Sequence, residues 1–385
     1  MFIDVGCYQL KKAKQNAYGD YFLSKRDAHG RTIAVLSDGL GSGIKANILS
    51  CMTATMLVRF LEKEVPIKEA AEIIMNSLPV CQVRQISYAT FSAVEADEQG
   101  NIRIVEEGNP SFVWMHGDTP QKADYTEIVS RSFPNRRMKV YQFQVEQGDR
   151  LIFCSDGVTQ AGMGEKDYPL GFEREGLLSF LQSTIAAERD ISSSQLARLV
   201  VDKALFCEYQ HKSQDDISSA VLTFRQPRKA LVFTGPPYEK HKDREYAWQL
   251  VTFAGKRAIC GGTTANIVSR ELKREITTPV TTAMGALPPL SYMEDVDLIT
   301  EGILTLTKAQ EYLEEGRLNE ADAAGSLVEF LLSSDIIEFM VGAMINQAHY
   351  DPALPIEIEI RRTVIKNIKR VLEEKYFKQV NIHYV

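Results

Sequence analysis

Aspartates that stand where an apolar run meets a glycine or a turn are the residues of this chain best suited to chemistry. Asp38 and Asp156 each end such a run, in IAVLSDG and LIFCSDG, while Asp20 follows Gly19 and Asp215 opens an acidic pair before another apolar run. A single Asp-Gly after a strand is usually only a turn. Repeated at several strand ends, the carboxylates can converge on one cleft, and their oxygens suit hard divalent cations such as Mg²⁺ and Mn²⁺. The pattern therefore predicts a metal centre, and bound cations of this kind can activate water.

Other kinds of site fit the sequence less well. The six histidines and six cysteines form no cluster at zinc spacing and no C-x-x-C pair, so we expect the cysteines to be reduced and packed in the interior. The stretch GLGSGIK at 39–45 is glycine-rich like a nucleotide-binding loop, but Ile44 separates Gly43 from the lysine. These glycines are expected to lead from a strand into a helix that begins near Ile44.

Short apolar strands and a few long helices must position the aspartates. Between Tyr18 and Phe224, strand-like runs are bounded by Gly, Asp or Pro, which is typical of antiparallel sheets. Runs of strands with helices in pairs favour an α+β fold, with helices outside a core of two sheets. The predicted strands are Thr32 to Leu36, Tyr88 to Val94, Asn101 to Glu106, Phe112 to Met115, Val140 to Val145, Arg150 to Cys154 and Ser218 to Phe224. The predicted helices are Gly43 to Lys63, Pro66 to Ser77, Glu173 to Ala186 and one from the serines at 192–194 to about Gln210.

The first of these helices is expected to pack through an apolar face formed by Ile48, Met52, Thr55 and Val58. A chain of ordinary globular composition, 44% hydrophobic and 25% charged, can bury a large core against such helices. Its net charge of −7 gives no general attraction to nucleic acid or to an anionic membrane. With no apolar run of signal or membrane-span length, we expect a cytoplasmic protein.

The pattern of apolar residues changes near residue 227 and divides the chain there. The segment RQPRK at 225–229 has no apolar periodicity, so we place one domain at residues 1–226 and a second at 228–385. The second domain opens with a β-α-β-α order, which favours a parallel sheet in a C-terminal α/β domain. The elements predicted there are Ala230 to Phe233, Asp243 to Phe253, Arg257 to Cys260 and Thr264 to Arg274, then a half-buried strand through Ile356, Ile358 and Ile360, a helix from Thr363 to Tyr376 and a strand from Gln379 to Val385.

The order of the acidic motifs resembles a known family. Gly-Asp at 19–20, Asp-Gly-x-Gly-x-Gly at 38–43, Asp-Gly-Val-Thr at 156–159 and Asp-Asp-Ile-Ser at 215–218 are similar to the type 2C metal-dependent protein phosphatases, in particular their bacterial SpoIIE-like branch. The segments at 107–111 and 170–172 are also similar to glycine turns of that branch. The resemblance covers about residues 1–224. It implies a β-sandwich of two antiparallel sheets flanked by helices, in αββα layers.

The resemblance also implies a binuclear Mn²⁺ or Mg²⁺ centre and a role for each ligand. Asp38 would bridge the two cations, the Gly39 carbonyl would bind one of them, and Asp20 matches the first-strand ligand. Asp156 and Asp215 match the ligands of the other cation, while Asp216 is expected to be a supporting or solvent-facing neighbour. A hydroxide bridging the cations would attack phosphoserine or phosphothreonine on a regulatory protein, such as an anti-sigma-factor antagonist.

Regulation and substrate contacts are less well matched. In the resembling branch, the helix pair at 43–77 is linked to regulation, so it is the candidate switch, and a dimer would form through such regulatory elements. Some members carry an arginine before the first aspartate and a histidine after the second. Here Lys11, Lys12 and Lys14 precede Asp20 and Leu40 follows Gly39, which leaves the general acid open; Lys14 either steers phosphate or belongs to a solvated face.

Two alternatives stay open at this point. The N-terminal domain is either an active phosphatase or a catalytically silent signalling module of the same fold. In the C-terminal domain, the turn at Gly261 to Thr264 either cradles an anion on backbone N–H groups or is a tight β-α turn capped by Thr263 or Thr264. A kinase built on the glycine loop at 39–45 is disfavoured by its spacing.

Overall fold

A computed structural model describes most of the chain, in two compact units, Met1–Gln226 and Pro227–Val385. Half of the residues of the predicted helix Pro66 to Ser77 lie outside the described residues, as do His29, Cys81 and Tyr88. The described residues are 1–27, 30–63, 65–66, 69–70, 72–73, 76, 89–130, 136–279, 288–318, 320–342, 354–376 and 378–385.

The N-terminal unit is built on two antiparallel sheets. One has the order β1-β11-β10-β6-β7 and the other β2-β3-β4-β5-β9-β8. The structure thus adds strands at the start of the chain that the sequence did not indicate, because polar residues such as Tyr8, Gln9 and Lys25 interrupt their apolar pattern. The strands are β1 Phe2–Leu10, β2 Asp20–Arg26, β3 Thr32–Gly39, β4 Ala89–Ala96, β5 Asn101–Glu107, β6 Val113–His116, β7 Thr119–Gln121, β8 Tyr125–Val129, β9 Arg137–Gln144, β10 Asp149–Cys154 and β11 Ile217–Arg225.

Helices cover both outer faces of this sandwich. Large apolar side chains fill the space between the sheets, among them Leu36, Phe153 and Leu222. Separate apolar clusters join α1 to one sheet and α3 and α4 to the other. The predicted α+β class, with αββα layers, is therefore confirmed. The helices are α1 Ile44–Glu62, α2 Asp156–Thr159, α3 Glu173–Ala187 and α4 Ser193–Cys207.

The face by which α1 packs differs from the predicted one. Ile48 and Met52 are 52% and 54% exposed, and Thr55 is also exposed. The helix buries mainly small residues instead, including Ala46, Ser50 and Ala54, together with Leu57 and Val58. Small side chains let the helix lie close to the sheet near Asp38, which explains why the largest apolar residues at its start are left outside. The length and apolar composition of α1 would be sufficient for a membrane span, but buried helices of globular domains meet the same criterion.

The C-terminal unit is a doubly wound sheet. Its strand order is β14-β15-β13-β12-β16-β17, with every pair parallel except the edge strand β14 against β15. Helices α7 to α9 pack on one face and α5 and α6 on the other. This confirms the predicted C-terminal α/β class. Its elements are β12 Lys229–Thr234, α5 Asp243–Thr252, β13 Lys256–Cys260, α6 Gly262–Leu272, β14 Ser291–Met293, β15 Val296–Thr300, α7 Ile303–Glu315, α8 Ala323–Leu332, β16 Ile336–Val341, α9 Leu354–Tyr376 and β17 Gln379–Tyr384.

Two predictions for this unit were wrong. The segment with Ile356, Ile358 and Ile360 is the start of α9 and not a strand, because the intervening Glu residues are good helix formers and the apolar pattern continues helically through Ile365 and Ile368. The turn before α6 is capped by Gly261, at φ 138°, and makes no side-chain cap. Neither Thr263 nor Thr264 is therefore the N-cap.

Candidate metal centre

Asp20 and Asp38 come together across one sheet. Asp20 opens β2 and Asp38 lies near the end of β3, and the antiparallel register pairs them directly. Directly opposed residues of an antiparallel pair have Cβ atoms roughly 5 Å apart when they share a face. Two carboxylates thus meet at the edge of the sheet, where β3 leads into α1.

Asp156 and Asp215 come together at the end of the other sheet. Asp156 follows the last pair of β10, and Asp215 stands two residues before β11, the antiparallel neighbour of β10. The carboxyl end of β10 and the amino end of β11 therefore lie at the same edge of the sheet. Asp156 accepts a hydrogen bond from Gln160 Nε2 at 2.9 Å, and Asp215 accepts one from the backbone N–H of Asp216 at 2.9 Å.

Asp38 is influenced by the carboxylates of both pairs. Burial raises the pKa of the Asp38 carboxyl, and the negative charges of Asp20, Asp156 and Asp215 raise it further. A direct contact also links the two pairs: the backbone N–H of Gly19, which precedes Asp20, donates to the carboxylate of Asp216, the neighbour of Asp215, at 2.8 Å. The structure thus places the four predicted aspartates around one edge of the sandwich.

Asp20 supplies the test of whether a cation fits here. It is only 2% exposed, and neither of its carboxylate oxygens accepts a hydrogen bond from a described residue. Burial, followed by the charge of Asp216, raises its pKa; the hydroxyls of Ser155 and Ser218 oppose the shift without reaching hydrogen-bond geometry. A buried carboxylate without donors needs a cation or a proton to offset its desolvation. An all-oxygen cluster of this kind fits hard divalent cations.

The side chains do not by themselves enclose an ion. Within the described ranges, no three acidic, histidine or cysteine side chains lie close enough to hold a metal together. Mg²⁺ usually keeps several waters and takes only one or two protein carboxylates, so a site of this kind does not require three. The donor set and the orphaned Asp20 therefore fit such cations with water completing the coordination.

Gly39 is required by close packing next to the site. A Cβ at this position would lie 2.1 Å from the carbonyl oxygen of Ala46, in the first turn of α1. Gly157 is constrained in the same way, with a Cβ 2.1 Å from the carbonyl oxygen of Asp216. Each Asp-Gly pair therefore brings its backbone against a neighbouring segment, which explains the glycine after Asp38 and after Asp156.

Asp216 is a supporting residue, one of the two alternatives that the sequence left open. It is 4% exposed, so it is not solvent-facing, and its carboxylate accepts hydrogen bonds from the backbone N–H groups of Lys12 and Gly19 at 2.9 and 2.8 Å. It thus fixes the segment that leads into Asp20. The sequence did not predict its two backbone partners, because they lie about two hundred residues away in the chain.

The lysines before Asp20 differ in position. Lys12 Nζ lies 4.0 Å from Asp215 Oδ1, at the rim of the site, whereas Lys14 is exposed and stands at φ 67°. Of the lysines at 12 and 14, it is therefore Lys12 whose ammonium group lies next to the aspartates. An open cleft of about 550 Å³ also adjoins Asp156, and its wall is fixed by Arg174, whose guanidinium donates to the Ser111 and Phe112 carbonyls.

Comparison with known proteins places the sandwich in a family. A family model described as stage II sporulation protein E (SpoIIE) matches residues 28–225, just over half of the 385-residue chain. The chain belongs to the SpoIIE family. This confirms the resemblance that the aspartate motifs indicate, and the SpoIIE match ends beside the division between the two units.

Individual relatives are distant. Stage II sporulation protein E of Bacillus subtilis (strain 168) is 25% identical over 175 residues, which is 45% of this chain and 21% of that protein. The Priestia megaterium protein is 24% identical, over 45% of this chain and 30% of its own length. This chain thus matches less than a third of either SpoIIE relative.

Solved structures with similar folds include the PP2C phosphatase domain of SpoIIE from Bacillus subtilis with a fragment of its regulatory domain. It has a TM-score of 0.48 at 20% identity, and the match covers 59% of this chain and 64% of that one. RsbX in complex with magnesium has a TM-score of 0.40 at 20% identity, over 57% of this chain and 94% of that one.

Proposed function

We propose that residues 1–226 are a metal-dependent phosphatase that hydrolyses phosphoserine or phosphothreonine on a regulatory protein, such as an anti-sigma-factor antagonist. The observation that carries the proposal is the convergence of Asp20, Asp38, Asp156 and Asp215 on one edge of the sandwich, with a buried Asp20 carboxylate that lacks donors. Membership of the SpoIIE family supports the same reaction. We place this activity in the cytoplasm.

In this proposal the aspartates hold two divalent cations, Mn²⁺ or Mg²⁺, and the Gly39 carbonyl adds a backbone oxygen. Bound cations of this kind lower the pKa of water and neutralise the charge of a phosphoryl group. Asp216 keeps Asp20 in place through the N–H groups of Lys12 and Gly19. The Lys12 ammonium, at the rim beside Asp215, orients a phosphate oxygen.

The cleft beside Asp156 supports a peptide substrate. Asn109, Pro110, Gln160, Leu170 and Arg174 line it, so apolar and polar contacts are both offered within reach of the aspartates. Leu170 is 67% exposed at its mouth. A residue on either side of a phosphoserine can occupy such a cleft, whereas a free phosphate ester cannot use it. We therefore expect phosphopeptides to be better substrates than p-nitrophenyl phosphate.

Release of phosphate from a phosphoserine peptide, with Mn²⁺ and with EDTA, tests the proposal. We expect release only with Mn²⁺, and a loss of roughly 100-fold or more in Asp38→Asn, because the charge that gathers the cations is removed. Asp118→Asn, at an exposed turn, is the matched control and should keep full activity. Metal-independent release, or full activity in Asp38→Asn, would overturn the proposal, and absence of any release would favour a silent binding module.

A further inference from the structure

The C-terminal sheet has a topology that creates a crevice. Its parallel strands lie side by side in the order β15-β13-β12-β16-β17. When the five are numbered 1 to 5 along the chain, this is the spatial order 3-2-1-4-5. In open α/β sheets of this kind, ligands bind outside the carboxyl ends of the strands, where the order reverses. Here that point lies between β12 and β16. Polar groups that a ligand would satisfy are therefore expected at this edge.

Unpaired buried polar atoms of this unit all lie at that edge. Within the described part of residues 227–385, the side chains with a buried atom that makes no hydrogen bond are Thr234, Glu301 and Thr305. Thr234 is the last residue of β12, Glu301 follows β15, and Thr305 is in the first turn of α7. Both threonines are completely buried. Native proteins seldom leave such atoms unpaired, so the cluster indicates a missing partner.

The two hydroxyls lie on the same side of the sheet. Thr234 alternates with Ala230 and Val232, which pack against α7 to α9, and Thr305 precedes Leu306 of that same cluster. Thr234 also pairs in register with Cys260 and Val341, the last residues of β13 and β16. The unpaired hydroxyls thus face the layer between the carboxyl edge and the start of α7.

Backbone and charge complete the crevice. Glycines follow four neighbouring strand ends, at Gly235, Gly261, Gly302 and Gly342, and Gly302 begins α7 with no side chain to cap it. A Cβ on Gly235 would lie 2.6 Å from a guanidinium nitrogen of Arg361. A cationic side chain and a bare helix N-terminus at one edge favour an anionic group.

An aromatic cleft opens at the carboxyl edge, beside the end of β12. It has a volume of about 300 Å³ and is lined by Pro237, Tyr238, Tyr246 and Tyr384, among others. The Tyr246 hydroxyl donates to the Gly235 carbonyl at 2.9 Å, which ties the cleft wall to the loop after β12. Such a cleft is large enough for a planar heterocycle and offers it ring faces to stack on.

From these features we infer that the carboxyl edge of the C-terminal sheet is a binding site for a nucleoside monophosphate. The phosphate lies at Arg361 and the start of α7, the Glu301 carboxylate accepts from a ribose hydroxyl, Thr234 and Thr305 bond polar atoms of the ligand, and the base stacks in the tyrosine cleft. The loop after β12 reads Thr-Gly-Pro-Pro and lacks the G-x-G-x-x-G turn of dinucleotide sites, so a mononucleotide fits better. This site is independent of the proposed phosphatase activity.

Calorimetric titration of the full chain in EDTA with AMP, GMP, CMP and UMP tests the inference, because the chelator removes cations from the aspartates. We expect at least one monophosphate to bind. Adenosine, which lacks the phosphate, and ribose 5-phosphate, which lacks the base, should each bind at least roughly tenfold more weakly. Inorganic phosphate should bind more weakly still. Failure of all four monophosphates to bind, or equal binding of ribose 5-phosphate, would overturn the assignment.

Side-chain variants locate the site. Thr234→Val and Thr305→Val preserve shape and remove unpaired hydroxyls, so both should fold with an unchanged or higher melting temperature and still bind the nucleotide roughly tenfold more weakly. Glu301→Gln and Arg361→Gln should weaken it similarly. Thr307→Val, two residues along α7 and not fully buried, is the matched control and should bind normally. Normal binding by both Thr234→Val and Thr305→Val would place the nucleotide elsewhere.

Discussion

At the scale of single residues, the acidic site depends on a side chain that does not face the cations. Asp216 holds the backbone at Lys12 and Gly19, and its neighbour Asp215 contributes a carboxylate to the cluster around Asp38. Groups that orient metal ligands often affect binding nearly as strongly as the ligands themselves. The adjacent Asp215 and Asp216 therefore have separate tasks.

Removing the Asp216 carboxylate should weaken both stability and metal binding. Asp216→Ala leaves two N–H groups without their acceptor, at a cost of about 2 kcal/mol or more in the free energy of unfolding. Mn²⁺ affinity should fall roughly 10- to 100-fold, because the segment before Asp20 is released. Urea unfolding and Mn²⁺ titration measure the two effects. Asp202→Ala, at an exposed ion pair of α4, is the control and should change neither, and an unchanged Mn²⁺ affinity in Asp216→Ala would contradict the role given to this residue.

A second residue-scale prediction concerns pH. His116 and Asp149 pair across β6 and β10, and His116 Nδ1 lies 2.6 Å from Asp149 Oδ1. This hydrogen bond, followed by the charge of Asp149, raises the pKa of His116. The folded state therefore holds the proton more tightly, so the stabilisation is complete below the ordinary pKa of about 6.5 and is lost as the pH rises through the higher folded value.

Unfolding midpoints measured from pH 6 to pH 9 test this assignment. The wild-type unfolding midpoint should decrease as the pH rises above about 6.5, the ordinary pKa of histidine. His116→Gln should remove the part of this decrease that comes from the pair. His211→Gln, at an exposed position, should leave the curve unchanged. A curve for His116→Gln that runs parallel to that of the wild type would show that the pair does not contribute.

At the scale of elements, α1 and β3 have to approach closely to form the site. The helix packs through Ala46, Ser50 and Ala54, and Gly39 lies against the Ala46 carbonyl. The sequence predicted the strand, the glycine turn and the start of the helix at Ile44 correctly. It did not predict the packing face, because apolar periodicity marks the larger residues Ile48 and Met52 while close helix-sheet contact selects the small ones.

Gly39→Ala tests this close approach. The added methyl would lie 2.1 Å from the Ala46 carbonyl, so α1 and β3 must separate. We expect a loss of about 2 kcal/mol in the free energy of unfolding, together with weaker Mn²⁺ binding, because Asp38 precedes the displaced residue. Gly262→Ala, where a Cβ has no atom within 4 Å, is the control and should be neutral in denaturant unfolding. Wild-type stability in Gly39→Ala would contradict the packing described for α1.

Element type was predictable from local pattern, and pairing was not. The strands that carry Asp38 and Asp156 are continuous apolar runs bounded by Asp-Gly, which local reasoning recognises. β2, which carries Asp20, is interrupted by Ser24 and Lys25, and only its pairing with β3 makes it a strand. At Ile356 to Ile360 the alternation resembled a strand, yet the helix continues through it. Long-range contacts, which local pattern does not contain, decided these cases.

At the scale of the whole molecule, each unit has a core of its own. The clusters around Leu36, Val58 and Leu196 contain only residues of the N-terminal unit, and those around Val232 and Phe233 contain only residues of the C-terminal unit. The N-terminal unit has 226 residues, a size at which a single domain buries most of the surface that its unfolded chain exposes. Each unit therefore has what it needs to fold separately.

We accordingly expect residues 1–226, expressed alone, to unfold in one cooperative transition and to keep Mn²⁺-dependent phosphatase activity. Because Mn²⁺ binds only the folded state, a concentration 100 times its Kd should stabilise this fragment by about 2.7 kcal/mol. Residues 227–385 alone should also unfold cooperatively but show no such response, since the four aspartates are absent from them. Calorimetry of both fragments with Mn²⁺ and with EDTA measures this. An Asp38→Asn fragment that still responds to Mn²⁺, or a first fragment without a cooperative transition, would contradict the assignment of the metal centre and its fold to residues 1–226.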